Sequence, residues 1–170
     1  MSAGRAHIRT KPNVARCPNP RLRQLWESRL TSIVTIPDSH RDLLDRPICA
    51  AFTTVMPDGQ PQTTVVWCSF DGTHVLVNTM RGFRKEKNMR ANPKVNLLVF
   101  EHSDPFRYIE VRGQVVEMAE DRAHEHLDEL AELYTGNSLY FGGVVPAELK
   151  DRETPTLCKI APTHVVAASF

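Results

Sequence analysis

VLVNTMRGFRKEKNMRANPKVNLLVFE, residues 75–101 of the 170-residue chain, predicts a strand, a turn, a short basic helix and a second strand. The β-branched and apolar residues of Val75–Thr79 favour a strand, and Val95–Phe100 repeats that pattern. Between them, a helix is expected to begin near Arg84 and to end at Asn92–Pro93, because proline cannot continue a helix. The segment therefore places a helix with a basic start between two strands.

The basic residues of this segment suit a phosphorylated ligand. Arg84, Lys85 and Lys87 stand in the first turn of the predicted helix. The free backbone N–H groups of a helix start attract anions as well. A solvated basic face would have the same composition, so this segment alone leaves both interpretations open.

The residues before this segment predict antiparallel strands. Ile48–Met56 and Gln62–Phe70 are apolar and β-branched, and Pro57-Asp58-Gly59 between them has the composition of a turn. Asp71-Gly72 then predicts a hairpin into a strand that starts at His74. We expect these three strands to form an antiparallel meander.

The residues after the segment complete a mainly β pattern. Phe106–Ala119 predicts a long strand in which Gly113 indicates a bulge or a close backbone approach. Asp121–Tyr134 predicts a helix, and Thr156–Ser169 predicts either a strand pair or one strand broken at Pro162. Six or seven antiparallel strands with short helices favour closure into a small barrel, which would avoid exposed sheet edges.

Composition argues against several classes of function. A formal net charge of +1 argues against wholesale nucleic-acid binding. Cys49, Cys68 and Cys158 lie in apolar runs and form no C-x-x-C pair, so we expect buried, reduced thiols. The histidines are dispersed, which supports no metal site. The chain has no signal-peptide pattern and no apolar run near the length of a membrane span, so a cytoplasmic protein is expected.

The first 35 residues differ in composition from the remainder. Up to residue 23 they contain six arginine or lysine residues, three prolines and no acidic residue. We therefore expect residues 1–35 to form a basic arm, partly disordered or with a docking helix, and residues 36–170 to form the cofactor-binding domain. Contact of the arm with nucleic acid or a partner subunit is an alternative.

Four motifs in this order are similar to those of a known family. They are T-x-x-P-D-G-Q-P-Q-x-x-x-V-W at Thr54–Trp67, V-N-T at Val77–Thr79, R-K-x-x-N-M-x-x-N-P-K-V-N-L-L-V at Arg84–Val99, and Y-I-E-V-R-G at Tyr108–Gly113. Together they resemble the pyridoxamine 5′-phosphate oxidase-like split-barrel flavoproteins. Within that superfamily the chain looks most like the deazaflavin-dependent (coenzyme F-420) oxidoreductases.

This resemblance implies a six- to seven-stranded antiparallel split β-barrel of the FMN-binding type. It also implies a homodimer with two cofactor sites at the subunit interface. The implied cofactor is coenzyme F-420 (8-hydroxy-5-deazaflavin), with FMN as the alternative. The implied activity is hydride transfer to or from a small conjugated substrate. A non-catalytic flavin-binding carrier or sensor, or an FMN-dependent enzyme like pyridoxamine 5′-phosphate oxidase, would use the same barrel.

The resemblance also implies which residues contact the cofactor. The strand after the Pro-Asp-Gly turn would lie beside the ring, the end of the strand that starts near Val75 would contact ring or ribityl chain, and the basic helix would hold the phosphate. The implied contacts are Thr63, Thr64, Val65, Val66, Trp67, Asn78, Thr79, Arg84, Lys85, Lys87 and Asn88. Of the cations, Lys85 is the strongest candidate. For Trp67 and Val65, ordinary core packing is the alternative interpretation.

No nucleophile or catalytic triad is evident, so no catalytic residue is assigned. Tyr140, His102 or water are candidates for a proton donor. The chain departs from vitamin B6 oxidases at Thr64, where those enzymes carry an arginine that binds phosphate, and it ends without their Arg-Leu-His-type segment. Both departures argue against pyridoxamine phosphate as the substrate.

Overall fold

Seven antiparallel strands and three short α-helices make up residues 34–169, the part of the chain that the computed structural model describes. The predicted basic arm lies almost entirely outside these residues and stays a prediction. In chain order the elements are α1 (Asp38–Asp45), β1 (Ala50–Val55), β2 (Pro61–Val66), β3 (Cys68–Phe70), β4 (Val75–Met80), α2 (Arg84–Ala91), β5 (Lys94–Phe100), β6 (Tyr108–Ala119), α3 (Ala123–Thr135), a 3₁₀ turn (Ala147–Asp151) and β7 (Pro155–Ala168).

The sheet curls until its two edges meet at Trp67. Its strand order is β2-β1-β5-β6-β7-β4-β3, so β2 and β3 are the edge strands. Val66 pairs with Ala50 of β1, whereas Cys68 pairs with Val77 of β4. Since a single residue joins opposite edges of the sheet, the sheet must close on itself, which gives the expected split barrel.

This closure contradicts one expectation from the sequence. Gln62–Phe70 was predicted as one strand of an antiparallel meander, and that prediction was wrong, because the strand breaks at Trp67. The residues before the break pair with β1, and those after it pair with β4. The hairpin predicted at Asp71-Gly72 is confirmed, and Gly72 has a φ of 93°. The backbone N–H groups of Thr73 and His74 both donate to the side-chain oxygen Oδ1 of Asp71.

One tyrosine of α3 bridges the seam between the two edges. The backbone N–H of Cys68 donates to the hydroxyl oxygen of Tyr134, and that hydroxyl lies 3.0 Å from the carbonyl oxygen of Ile48, two residues before β1. The Tyr134 ring also stacks on Trp67, with the ring centroids 5.1 Å apart. The helix therefore connects the edge strand β3 to the chain that leads into β1.

The barrel interior is filled by side chains that alternate along the strands. On β1 the buried positions include Phe52, and on β5 they are Val95, Leu97 and Val99. Helix α1 adds the fully buried Leu43–Leu44 pair to the same cluster. The core is therefore a packed barrel interior.

Gly113 confirms the predicted close approach in β6. The pairing of β6 with β7 shifts register between Arg112 and Gly113. A Cβ atom added at Gly113 would lie 2.5 Å from Ile160 Cγ2 and 2.8 Å from the carbonyl oxygen of Ala161. The extra residue at this shift is Thr163 of β7, because Arg112 pairs with His164 and Gly113 pairs with Pro162. Strand β7 runs without interruption from Pro155 to Ala168, so both the strand pair and the strand broken at Pro162 were wrong.

Two of the three described cysteines are buried as expected. Burial raises the pKa of the Cys68 thiol to about 12 and has the same effect at Cys158, so both thiols stay protonated. Cys49 contradicts the prediction, because it is exposed and lies just before β1. The alternation of the strand places its neighbours Ile48 and Ala50 in the core instead.

Candidate functional site

A pocket of about 360 Å³ lies beside the seam of the barrel. Its lining comes from the ends of β2 and β4, the start of α2, helix α3 and residues 140–153. Most of the lining side chains are apolar, and Lys85 and Glu153 bring the charged groups. A largely apolar cleft with a few polar groups is the usual form of a small-molecule site.

The structure brings together six of the eleven predicted cofactor contacts. Those that line the pocket are Val65, Val66, Trp67, Asn78, Thr79 and Lys85. They come from three separate parts of the sequence, and the closure of the barrel at Trp67 brings them to one cleft. The pocket therefore contains residues predicted to contact the ring together with Lys85, which was predicted to contact the phosphate.

Lys85 supplies a cation that is partly removed from water. It lies in the first turn of α2, and burial lowers the pKa of its ammonium group, while the nearby Cys158 thiol acts in the opposite direction. Among residues 34–169, no carboxylate lies within ion-pair distance of its amine, although Arg90 on the same helix is paired with Glu86. The Lys85 charge is therefore available to an anion.

The other basic residues near the start of α2 do not line the pocket. Arg84 and Lys87 are exposed on α2 and do not line the pocket. Arg81, in the turn before α2, donates through Nε to a carboxylate oxygen of Glu120 at 2.7 Å. Of these four basic residues, Lys85 is the one that reaches the pocket.

Asn88 connects the basic helix to the barrel. Its side chain is 1% exposed, and its amide nitrogen donates to Thr54 Oγ1 and to Gln62 Oε1, each at 3.0 Å. Thr54 belongs to β1 and Gln62 to β2, so this one amide fixes α2 against both strands. In this structure Asn88 holds the helix that carries Lys85.

The two predicted threonines of β2 also lie outside the pocket lining. The Thr63 hydroxyl is hydrogen-bonded to that of Thr53 on the neighbouring strand at 2.8 Å. The Thr64 hydroxyl is buried and has no hydrogen-bond partner among the described residues.

Three buried polar atoms without hydrogen-bond partners among the described residues lie where the end of β4 pairs with the start of β7. Within residues 34–169, Asn78 Oδ1, Thr79 Oγ1 and Thr156 Oγ1 form no hydrogen bond. Thr79 and Thr156 face each other in the register of the two strands, and Asn78 and Thr79 line the pocket. Because buried polar groups in proteins are normally paired, these atoms are suited to a ligand or bound water.

The segment after α3 provides the part of the site that sequence patterns missed. Val144, Val145, Leu149 and Glu153 line the pocket, but they have no helical or strand periodicity that would mark them. Tyr140, named above as a candidate proton donor, lines it too. Burial, and then the Glu153 carboxylate, raise the pKa of Tyr140, so its hydroxyl is protonated at neutral pH.

The other candidate proton donor lies elsewhere. His102 is in the loop after β5, where its ring contacts Phe100, and it does not line the pocket.

No group of three or more metal-ligating side chains is found in the described part of the chain. Among the helices of residues 34–169, none is long and apolar enough to cross a membrane.

Comparison with known proteins gives the family. The sequence model of the pyridoxamine 5′-phosphate oxidase family matches residues 36–167. The chain belongs to this family. No curated protein matches it significantly.

Solved structures include one relative at 30% sequence identity, an F420 reductase. The alignment covers 77% of this chain and 98% of the reductase, with a TM-score of 0.67. A conserved hypothetical protein from Mycobacterium tuberculosis is 21% identical, with coverage of 82% and 88% and a TM-score of 0.62. General stress protein 26 from Bacillus anthracis is 20% identical, with coverage of 77% and 92% and a TM-score of 0.54. The last two show the fold, and the F420 reductase confirms the resemblance to the deazaflavin branch of this oxidoreductase-type family.

Proposed function

We propose that the protein is an oxidoreductase that binds coenzyme F-420 in the pocket beside Trp67 and transfers a hydride to or from a small conjugated substrate. The observation that carries this proposal is that Lys85 lines a mainly apolar cleft. Among residues 34–169 this cation has no carboxylate partner. The 30% identity to an F420 reductase supports deazaflavin over FMN.

The residues present fit a ring-shaped redox cofactor with an anionic tail. Lys85 would hold the phosphate by a charge-assisted hydrogen bond, which is strengthened where water is partly excluded. The apolar walls at Val66, Trp67 and Leu127 would bury the ring. The unpartnered Asn78 Oδ1 would accept a hydrogen bond from the polar edge of the ring or from the ribityl chain, and the Thr79 hydroxyl would accept or donate one.

When bound, F-420 supplies the hydride chemistry, which amino-acid side chains cannot provide. The protein orients the substrate against the cofactor and excludes water from the cleft. Tyr140 is the candidate to stabilise the substrate, because its protonated hydroxyl can donate a hydrogen bond to a carbonyl oxygen on which negative charge develops.

We propose in addition that the active form is a homodimer. Val65 and Phe83 both line the pocket, and they are 72% and 46% exposed. Exposed apolar side chains at the rim of a site are suited to burial by a second subunit or by the bound ring. The two cofactor sites would then lie at the subunit interface.

Cofactor binding tests this proposal directly. Purified protein would be titrated with F-420 and, separately, with FMN, and the change in cofactor fluorescence would give each Kd. We expect tighter binding of F-420, and turnover of a quinone or enone acceptor with reduced F-420. Failure of both cofactors to bind would overturn the proposal, and binding without turnover of any acceptor would favour a carrier or sensor.

A further inference from the structure

A buried histidine lies directly behind the cofactor-facing strand β4. His126 of α3 is 6% exposed, and its Nε2 atom lies 3.0 Å from the hydroxyl oxygen of Ser69 on β3. Its Nδ1 atom lies 3.5 Å from the amide nitrogen of Asn78 on β4. The imidazole therefore connects two strands, and it is not itself part of the pocket lining.

The orientation of the Asn78 amide follows from its neighbours. The carbonyl oxygen of Ala123 lies 2.7 Å from Asn78 Nδ2, and a carbonyl oxygen can only accept a hydrogen bond. The amide nitrogen must therefore face α3. The amide oxygen is left as an acceptor, and among residues 34–169 it has no partner.

The same contacts specify which nitrogen of His126 carries the proton. Asn78 Nδ2 has a second hydrogen, and Nδ1 of His126 can receive it only if that nitrogen is unprotonated. The proton of the neutral ring is then on Nε2, from which it is donated to the Ser69 hydroxyl. Burial, and then the charge of Arg122, favour the neutral ring, so it acts as this acceptor at neutral pH.

We propose that His126 is a positioning residue that holds the Asn78 amide with its oxygen available to the cofactor. It follows that the part of the cofactor that lies against the end of β4 is a hydrogen-bond donor, an N–H or O–H group. This inference rests on the proposed function, because it assigns a polarity to the same pocket.

The first test needs no cofactor. In protein labelled with ¹⁵N at histidine, long-range ¹H–¹⁵N correlations at neutral pH report which ring nitrogen is protonated, and the signal that disappears in His126→Asn identifies His126. We expect protonated Nε2 and unprotonated Nδ1. Protonation of Nδ1 would overturn the proposal, because Asn78 could then not donate to it.

The second test measures F-420 affinity in matched variants. His126→Leu removes the acceptor and should weaken binding about tenfold, the effect of one neutral hydrogen bond. His126→Asn keeps an acceptor near the Nδ1 position and should retain most of the affinity. Asn78→Ala should lose affinity by itself, and adding His126→Leu to it should cause no further loss, because His126 acts through Asn78.

The outcomes separate this inference from the proposed function. Wild-type affinity in His126→Leu, additive losses in the double variant, or equal losses in the Leu and Asn variants would overturn the positioning role. If the wild-type protein bound neither F-420 nor FMN, the proposed function would fail, and the cofactor contact assigned to Asn78 would fail with it. Thermal unfolding of each variant verifies that the loss of affinity is not a loss of folded protein.

Discussion

The backbone N–H of Cys68 donates to the hydroxyl oxygen of Tyr134 over 3.1 Å, which joins the first residue of β3 to the last full turn of α3. The same hydroxyl lies 3.0 Å from the carbonyl oxygen of Ile48 on the other side of the seam. Because β2 and β3 are the edges of the sheet, this group stabilises the barrel at the place where its edges meet.

The seam contact predicts a loss of stability in Tyr134→Phe. The substitution keeps the stacking on Trp67 but leaves the Cys68 N–H and the Ile48 carbonyl without this partner. We expect the free energy of unfolding to fall by about 1–3 kcal/mol, measured by urea denaturation. Tyr108→Phe is the matched control, because the Tyr108 hydroxyl forms no hydrogen bond with any residue in the described part of the chain. An equal effect in both variants would contradict the role of the seam.

Removal of the Lys85 charge should weaken cofactor binding. In Lys85→Ala the phosphate would lose its charge-assisted hydrogen bond, and we expect F-420 affinity to fall by about 1.5–3 kcal/mol. Lys159→Ala provides the control, because Lys159 forms a surface ion pair with Glu117 outside the pocket. Wild-type affinity in Lys85→Ala would show that the phosphate lies elsewhere.

Asn88→Ala should act mainly on stability. It would leave the buried Thr54 hydroxyl and the Gln62 amide oxygen without their shared donor, at a cost of about 1–3 kcal/mol in the free energy of unfolding. Lys87→Ala, one position earlier on the exposed face of α2, should change stability by less than about 0.5 kcal/mol. Chemical denaturation of both variants compares them, and a stable Asn88→Ala protein would contradict a structural role.

The buried imidazole of His126 predicts a pH dependence of stability. Burial, assisted by the charge of Arg122, lowers its pKa from 6.5 to about 4. Between these values the unfolded chain binds a proton that the folded chain does not. Stability contributed by the neutral ring is therefore complete above pH 6.5 and is lost as the pH falls towards 4. The loss is up to about 3 kcal/mol.

Urea denaturation at several pH values between 4 and 7 measures this effect, which should be absent in His126→Asn. His124→Asn is the control, because His124 is exposed on the same helix. If the wild-type protein and His126→Asn had the same pH profile, the buried imidazole would not be the group responsible.

Local sequence signals predicted the parts of the fold that depend on near neighbours. Asn92–Pro93 ended α2 as expected, and Gly113 marked the close approach to Ile160. These features follow from the backbone preferences of proline and glycine. They do not depend on what the distant chain does.

The break at Trp67 could not be predicted in the same way. Gln62–Phe70 is a continuous run of strand-forming residues with no glycine or proline, so local preference favours one strand. The structure interrupts it because residues on the two sides pair with different strands. Long-range pairing also determined that Asn88 supports the helix and that Val144 and Leu149 line the pocket.

Trp67 is both the residue that joins the two sheet edges and part of the pocket wall. A molecule that packs against its indole ring therefore restrains the junction on which the closed shape of the sheet depends. Cofactor binding should then slow hydrogen–deuterium exchange at the backbone amides of Val66 and Cys68. The exchange rate of these two amides would therefore report the occupancy of the cleft.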